Sequence, residues 1–297
     1  MIPSFTPLRS LLWLALALAA ASCGERGEQG AIVILDHAYT AEIVATQDNG
    51  FASPDGLNWH RGMLYVADEG GSAVRRWTPG RRPETLADKS AGIASPEDLV
   101  IDARGSIFFT DDTAGGLWRI DRGGQAARIV GPESGLVSTE GIALAPDGSV
   151  LVGEAMGRVF RVDPQGGVSE FLGTAAAIRK PESIVFDERG NLYIADNRDD
   201  TLSLVTPAGS IFRLIEGRSG FSPETLAYAD GALFITDSHH GNLYRYTRRT
   251  GLETIAVFMG DFNNVNGVTI DDAGAIYVSI QADLANRRGY LVKLTPR

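Results

Sequence analysis

The chain has 297 residues, of which 22% are charged and 44% hydrophobic, and it carries a formal net charge of −10. That length suits one large all-β domain or two small ones, and the composition is that of a globular chain. The acidic balance excludes nucleic acid as a partner and favours cations or neutral small molecules.

The first element is not part of the fold. Arg9 precedes the apolar run LLWLALALAAA (11–21), and Ser22-Cys23 follow. The run is too short to span a bilayer and has the form of a signal-peptide core. Cys23 is the single cysteine of the chain, so it has no partner for an internal disulfide. The segment AASC resembles a bacterial lipobox, with Ala20 where Leu is more usual. Residues 1–22 are therefore read as a lipoprotein-type signal peptide, and residues 23–39 as a lipidated Cys23 and its tether. The expected location is the bacterial cell envelope, membrane-anchored at its periplasmic face. A plain secretory signal with an incidental cysteine is the alternative.

From residue 40 onward the chain repeats. The segments SPDGLNWHRGMLYVAD (53–68), SPEDLVIDARGSIFFTD (95–111), STEGIALAPDGSVLVGE (138–154), KPESIVFDERGNLYIAD (180–196), SPETLAYADGALFITD (222–237) and VNGVTIDDAGAIYVSI (265–280) share one layout. Asp55, Glu97, Glu140, Glu182, Glu224 and Asn266 occupy one position in it, 42 or 43 residues apart. Each unit reads as a short alternating run, a turn such as DARG or APDG, a β-rich run, then two more strands. Four antiparallel strands in such a period make one propeller blade. Six units predict an all-β, six-bladed β-propeller over residues 40–297. The last unit lacks a fourth strand, and a spare strand, AEIVATQ (41–47), precedes the first unit. This N-terminal strand is expected to complete the last blade and close the ring.

In a blade the innermost strand runs beside the central axis. The six aligned residues stand at its start, so they are expected to ring one mouth of the channel. Five carboxylates there raise one another's pKa, and such a ring needs protons or a cation. Its donors are all oxygen, which suits Ca²⁺ or Mg²⁺ better than Zn²⁺. A hard cation and a water-filled acidic channel are both open, and Arg179 or Lys180 offers pairing to some of the acids. A second column, Asp68, Asp111, Glu154, Asp196 and Asp237, stands at the end of strand two, with Ile280 in the sixth unit. It reads as structural: such acids accept the N–H groups of nearby turns, and Asp112 and Asn197 beside it fit the same role. His239 and His240 break the repeat on the ring face. They are either exposed loop residues or bring one imidazole inward as an acid/base group. His60 falls on the opposite face. Phe51, Ile93, Val137, Ile178, Phe221 and Phe262, just ahead of the ring, form an apolar collar or pack between blades.

The motif P-[acid]-x-[aliphatic], followed by G-x-[aliphatic]-[aromatic]-[aliphatic]-x-[acid], resembles the superfamily of six-bladed propellers that includes gluconolactonase, regucalcin (senescence marker protein), strictosidine synthase and the NHL-repeat proteins. The resemblance covers about residues 40–297, and the gluconolactonase/regucalcin branch is nearest in ring chemistry. It implies one divalent cation, usually Ca²⁺, with Asp55, Glu182, Glu224 and Asn266 as the first ligands and Glu97 and Glu140 behind them. It implies hydrolysis of a lactone or related ester, a small-molecule substrate, with Glu224, Glu182 and His239 as candidate acid/base residues. This chain departs from the branch in having one ring Asn in place of two. Two alternatives are a metal-free lyase or condensing enzyme of the strictosidine synthase kind and a non-catalytic NHL-type binding propeller.

The lipobox reading makes the first prediction. Cys23→Ser is expected to move the exported protein from the membrane fraction to the soluble fraction, and fractionation followed by immunoblotting measures it.

Overall fold

The computed structural model describes residues 30–283 and 288–297. The signal segment, Cys23 and the polar run 24–29 lie outside the described residues. Six antiparallel sheets, five of four strands and one of five, stand in sequence order among the described residues. Their innermost strands are Pro54–His60, Pro96–Ile101, Thr139–Leu144, Pro181–Phe186, Leu226–Ala229 and Val265–Ile270. Only short 3-10 helices link the blades among the described residues. The all-β, six-bladed reading therefore holds.

Local chemistry fixes each hairpin. The carboxylates of Asp102, Asp187 and Asp271 each accept two N–H groups from the turn that follows, as in Arg104 N and Ser106 N on Asp102 Oδ1 at 2.9 and 2.8 Å. The glycine closing each turn takes a left-handed conformation, with Gly105 at φ 88°. An aspartate three residues before a glycine thus specifies the turn, and β-branched and aromatic runs on either side specify the strands.

The ring closes as expected. Tyr39–Thr46 pairs antiparallel with Arg288–Pro296 as the outer strand of blade six. A further strand escaped the sequence reading. Ala31–Ile34, within the stretch read as tether, pairs with Gly251–Met259 and gives blade five a fifth strand. Its apolar alternation is too short to stand out from a linker.

The core consists of six separate seams, one between each pair of neighbouring blades. The seam between blades six and one holds Phe51, Trp77, Tyr277 and Leu291, each 2% exposed or less. Each buried side chain of this size contributes about 2 kcal/mol. Several per seam outweigh the cost of crowding carboxylates at the axis. The collar residues belong to these seams: Phe51, Ile93, Ile178, Phe221 and Phe262 are buried between blades. Val137 does not join them. It is 57% exposed, and Leu136 takes its place at 0%.

Near the axis the blades nearly touch. A Cβ on Gly267 would come within 2.1 Å of Asp55 O, and one on Gly141 within 2.6 Å of Ser183 Cα. Hydroxyls join neighbouring blades at this level: Thr110 donates to Glu140 O at 2.6 Å and Ser279 donates to Asp55 O at 2.6 Å. Thr236 likewise donates to Asn266 O.

Removing residues 1–46 deletes the closing strand and leaves Arg288–Pro296 as an open edge. The thermal midpoint is expected to fall by about 10 °C or more. Removing residues 1–35, which takes only the extra strand of blade five, is expected to cost less. Differential scanning calorimetry on both truncations checks this.

Candidate functional site at the channel mouth

The acid column at the end of strand two sets the site. Asp68, Asp111, Glu154, Asp196 and Asp237 are all at most 1% exposed. Asp68 accepts Ala52 N at 2.9 Å and Ser53 N at 2.8 Å, Asp111 accepts Ala94 N and Ser95 N, Asp196 accepts Arg179 N and Lys180 N, and Asp237 accepts Ser222 N. These donors lie just ahead of the ring residues 55, 97, 182 and 224. The column is structural, as expected. It also holds the chain just ahead of the ring residues of blades one, two, four and five. Each of these charge-assisted bonds contributes about 1.5–3 kcal/mol.

A bulge then aims the ring residue. Pairing with the second strand shifts register between Pro54 and Leu57, Pro96 and Leu99, Thr139 and Ile142, Pro181 and Ser183, and Val265 and Val268. Every such interval contains the ring position. A bulge re-aims a side chain that regular alternation would direct elsewhere.

The five carboxylates act on one another. Burial and the charges of Glu69 and Glu224 hold Asp55 well above the usual carboxylate range. Burial, then Asp55, Glu69 and Glu140, do the same to Glu97, and the Asp55 and Glu97 carboxyls hydrogen-bond to each other. Burial, then Glu224 and Glu140, push Glu182 up, and burial also raises Glu140 against the pull of Lys180. These acids are interior by depth, yet Asp55, Glu97, Glu182 and Glu224 keep part of their surface on the channel.

Lys180 is the ring's own cation. Its Nζ lies 3.4 Å from Glu140 Oε1 and 2.7 Å from Glu182 Oε2, and it donates to Glu182 Oε1 at 3.1 Å. Burial alone would lower its pKa, but Glu182 and Glu140 outweigh that and raise it, so it stays charged. The repeat explains its reach. Lys180 stands two residues ahead of Glu182, where the other units have Ser53, Ser95, Ser138, Ser222 and Asn264.

A third repeat position was read only in part, through Asp112 and Asn197. Glu69, Asp112, Ala155, Asn197, Ser238 and Gln281 each follow the acid column or its sixth-blade equivalent. Asn197 Nδ2 donates to Glu224 Oε2 at 3.2 Å, and Ser238 Oγ donates to the same oxygen at 2.5 Å. Gln281 Nε2 bridges Asp55 Oδ2 at 3.2 Å and Glu69 Oε2 at 2.7 Å. Ser138 donates to Asp112. Asp112 and Asn197 thus reach across to neighbouring groups and do not act as turn acceptors. The signal was present in the register: five of the six are polar and all sit one residue beyond a column already identified.

The histidine pair divides. His240 Nδ1 lies 3.0 Å from Asp237 Oδ1, and its backbone N–H donates to the same oxygen, so it braces the acid column. His239 is exposed, with Nδ1 2.8 Å from Ser222 Oγ. Ser222 stands two residues ahead of Glu224, so the bond of His239 goes to that entry turn and not to a ring carboxylate.

Asn266 is buried, and its Oδ1 has no hydrogen-bond partner; Glu182 Oε2 also lacks one, although it is in ionic contact with Lys180. A buried amide oxygen with nothing to accept from suits a hard cation in kind. In spacing the fit is weaker: among the described residues no three His, Cys, Asp or Glu side chains converge on one point as a metal cluster.

One more acid lies below the ring. Asp98 follows Glu97, where the other blades have Gly56, Gly141, Ser183, Thr225 and Gly267. Burial raises its carboxyl to about 7, against backbone hydrogen bonds from Leu99 and Ile142. A Cβ on Gly56 would come within 2.9 Å of Asp98 Oδ1, so that glycine makes the room it occupies.

No protein-family model matches the chain, and no curated protein matches it. Solved structures do. A gluconolactonase from Xanthomonas campestris aligns at 16% identity over 91% of this chain and 91% of that chain, with a TM-score of 0.69. The virginiamycin B lyase of Staphylococcus aureus aligns at 16% identity over 87% of this chain and 99% of that chain, with a TM-score of 0.66. An auxiliary nutrient binding protein from Bacteroides thetaiotaomicron aligns at 13% identity over 82% and 69% of the two chains, with a TM-score of 0.66. At these identities the likeness is one of fold. The chain has the six-bladed propeller architecture of gluconolactonase-like and virginiamycin B lyase-like proteins.

Asp98 yields a prediction with a defined sign. Its folded pKa is raised, so the stability it contributes is complete below its ordinary value and is lost as pH rises toward about 7. The thermal midpoint of the wild type is expected to decline through that window more steeply than that of Asp98→Asn. Melting curves of both proteins across the window test it.

Proposed function

We propose that the chain is a hydrolase of a lactone or related ester, working at the ring mouth of the central channel. The observation that carries this reading is Glu224. It is the ring acid whose carboxylate is held from two sides, by Asn197 and by Ser238. Those donors fix its direction, which is what a general base for water needs. The gluconolactonase fold likeness supports the same class by analogy.

The other ring groups divide the remaining work. Asp55 and Glu97 share a proton through their mutual hydrogen bond and can return one to a leaving oxygen. Lys180 holds Glu140 and Glu182 as a neutralised pair, so the ring is less negative than its composition. Asn266, Glu182 and Glu224 are the residues that would hold a divalent cation, Ca²⁺ first, with Asp55 next to them. When bound, such an ion supplies Lewis-acid polarisation of an ester carbonyl. His239, on the rim and bonded to Ser222, takes the place of an outer proton acceptor.

A second reading rests on Lys180. A built-in ammonium beside two buried glutamates removes part of the need for a metal. That favours a metal-free lyase using a ring glutamate of raised pKa, in line with the fold likeness to virginiamycin B lyase.

Assaying a panel of lactones with and without Ca²⁺ separates the two. Glu224→Gln is expected to lower turnover about 10²–10⁴-fold, the range for loss of a general base. Chelator is expected to abolish hydrolysis and lower the thermal midpoint. Full activity in chelator with loss in Glu182→Gln would favour the lyase reading, and wild-type turnover in Glu224→Gln would remove this base assignment.

A further inference from the structure

Ala31–Ile34 fixes where the chain ahead of the propeller emerges. It runs antiparallel to the last strand of blade five, with Ala31 opposite Met259 and Ile34 opposite Ala256. Asp237, at the ring-face end of the blade's second strand, is level with Asn242, and Asn242 is level with Val257. Met259 therefore stands beyond that level, on the ring face, and Gly30 emerges beside it. A Cβ on Gly30 would come within 2.7 Å of Phe262 Cδ2, in the entry turn of blade six. Seven residues, 23–29, separate Gly30 from the expected site of lipidation. A chain of that length reaches about 25 Å at full extension. The blade-five strand Gly251–Met259 has nine residues and is itself roughly 27 Å long. The tether is too short to run down the blade and leave the opposite face on a bilayer.

The exposed apolar surface lies on the same side. The described residues include seven exposed large hydrophobics. Val137 and Met156 are the most exposed of them, at 57% and 67%, and they adjoin on blade three, where Ala155 N donates to Ser138 O. Met259 stands at the ring-face end of blade five. Ile129 and Phe171 each stand one residue from the ring-face end of the outer strand, in blades two and three. Phe212 stands one residue from the opposite end of its strand, and Leu35 lies on the outer edge of blade five, its N–H on Ile255 O. Five of the seven thus lie toward one face, where scattered exposure would favour no side. The exposed charges of that face have both signs, Lys89, Arg179 and Arg198 beside Asp48, Asp199 and Asp200, so nothing there selects anionic lipid.

We infer that the ring face is held against a lipid bilayer, with Val137 and Met156 at the headgroup level. Two independent features carry this. The point where the chain emerges sets which side the anchor draws down, and the exposed apolar residues of that side gain by leaving water. A covalent lipid by itself leaves a tethered domain free to roll. Apolar contacts on the same face supply the second attachment, which fixes the orientation. The consequence for the site is access, since the channel mouth then faces lipid and not bulk water. The inference rests on the lipobox reading of Cys23 and not on the reaction proposed at the ring.

The test uses the full lipidated chain, purified from membranes and reconstituted in phosphatidylcholine vesicles. Cys23 is the single cysteine and the lipid consumes its thiol, so one introduced cysteine at a time takes a fluorescent label. Val137→Cys and Met156→Cys report the ring face, Phe212→Cys the opposite end of a blade, and Leu35→Cys the edge of blade five. A lipid carrying a spin label on its headgroup is expected to quench the first two by about twofold or more and to leave Phe212→Cys unchanged. Stronger quenching at Leu35→Cys or Phe212→Cys overturns the proposal, since the domain then lies on its edge or on its other face. Absence of quenching at all four positions overturns it too. Mass spectrometry of the N-terminal peptide tells the two readings apart. An acylated Cys23 with the wrong quenching pattern removes the orientation alone, while a Cys23 without acyl groups removes the anchor and the orientation together.

Discussion

The structure depends on one interaction repeated in blades one, two, four and five, a buried carboxylate at the end of the second strand that binds the backbone entering the first. Asp68, Asp111, Asp196 and Asp237 each accept N–H groups from the two or three residues ahead of their own blade's ring position. A carboxylate with no access to water is costly unless its acceptor capacity is met by donors. The entry turn supplies those donors, and in return its path is fixed. Because the same exchange recurs in blade after blade, the ring residues arrive at the axis at one height. Blade six, with Ile280 in the column, solves the problem differently: Asn264 donates to Gln281 O and Gln281 N donates to Asn264 O.

The entry turns fix height, and the bulges fix direction. With one extra residue inserted, the ring side chains of every blade but the fifth are redirected out of regular alternation, while Glu224 stands just ahead of its strand. The consequence is electrostatic. Acids that would be ordinary on a surface are raised by burial and by one another, and the site stores unneutralised charge. Lys180 relieves part of it on the side of blades three and four. On the side of blades one and two, burial and mutual repulsion hold Asp55 and Glu97 toward their protonated forms. Glu224, between them, is oriented by Asn197 and Ser238. The asymmetry among six similar units is therefore what makes chemistry available, and it comes from single departures from the repeat: Lys180 for Ser, Ser238 and Asn197 for an acid, Asp98 for Gly.

Much of this was legible in the residues. The period of 42 or 43 residues, the acid at its second or third place and the strand patterns were sufficient for the fold, the ring closure and the structural role of the column. The third layer was read only in part, though its residues stand in register one step beyond that column. Glu69, Gln281, Asn197 and Ser238 look like loop residues until the blades are placed side by side, because their partners belong mostly to the next blade. Val137 was chosen for the apolar collar where Leu136 is the buried residue; a one-residue choice between adjacent aliphatics depends on the turn, and the period cannot make it.

The sequence by itself determined how many blades there are, where each begins and which residue type stands at each inner position, because a repeat with fixed turn chemistry leaves one compact way to bury its strands. Only the tertiary structure decided how those positions pair across blades. Lys180 was legible as a nearby cation, but its choice of Glu140 and Glu182 needed distances. The histidine pair was legible as an exception, but His240 bracing Asp237 and His239 resting on Ser222 needed the loop's path. Contacts between units far apart in the chain depend on curvature, bulges and side-chain reach, and none of these is written in the spacing of one unit.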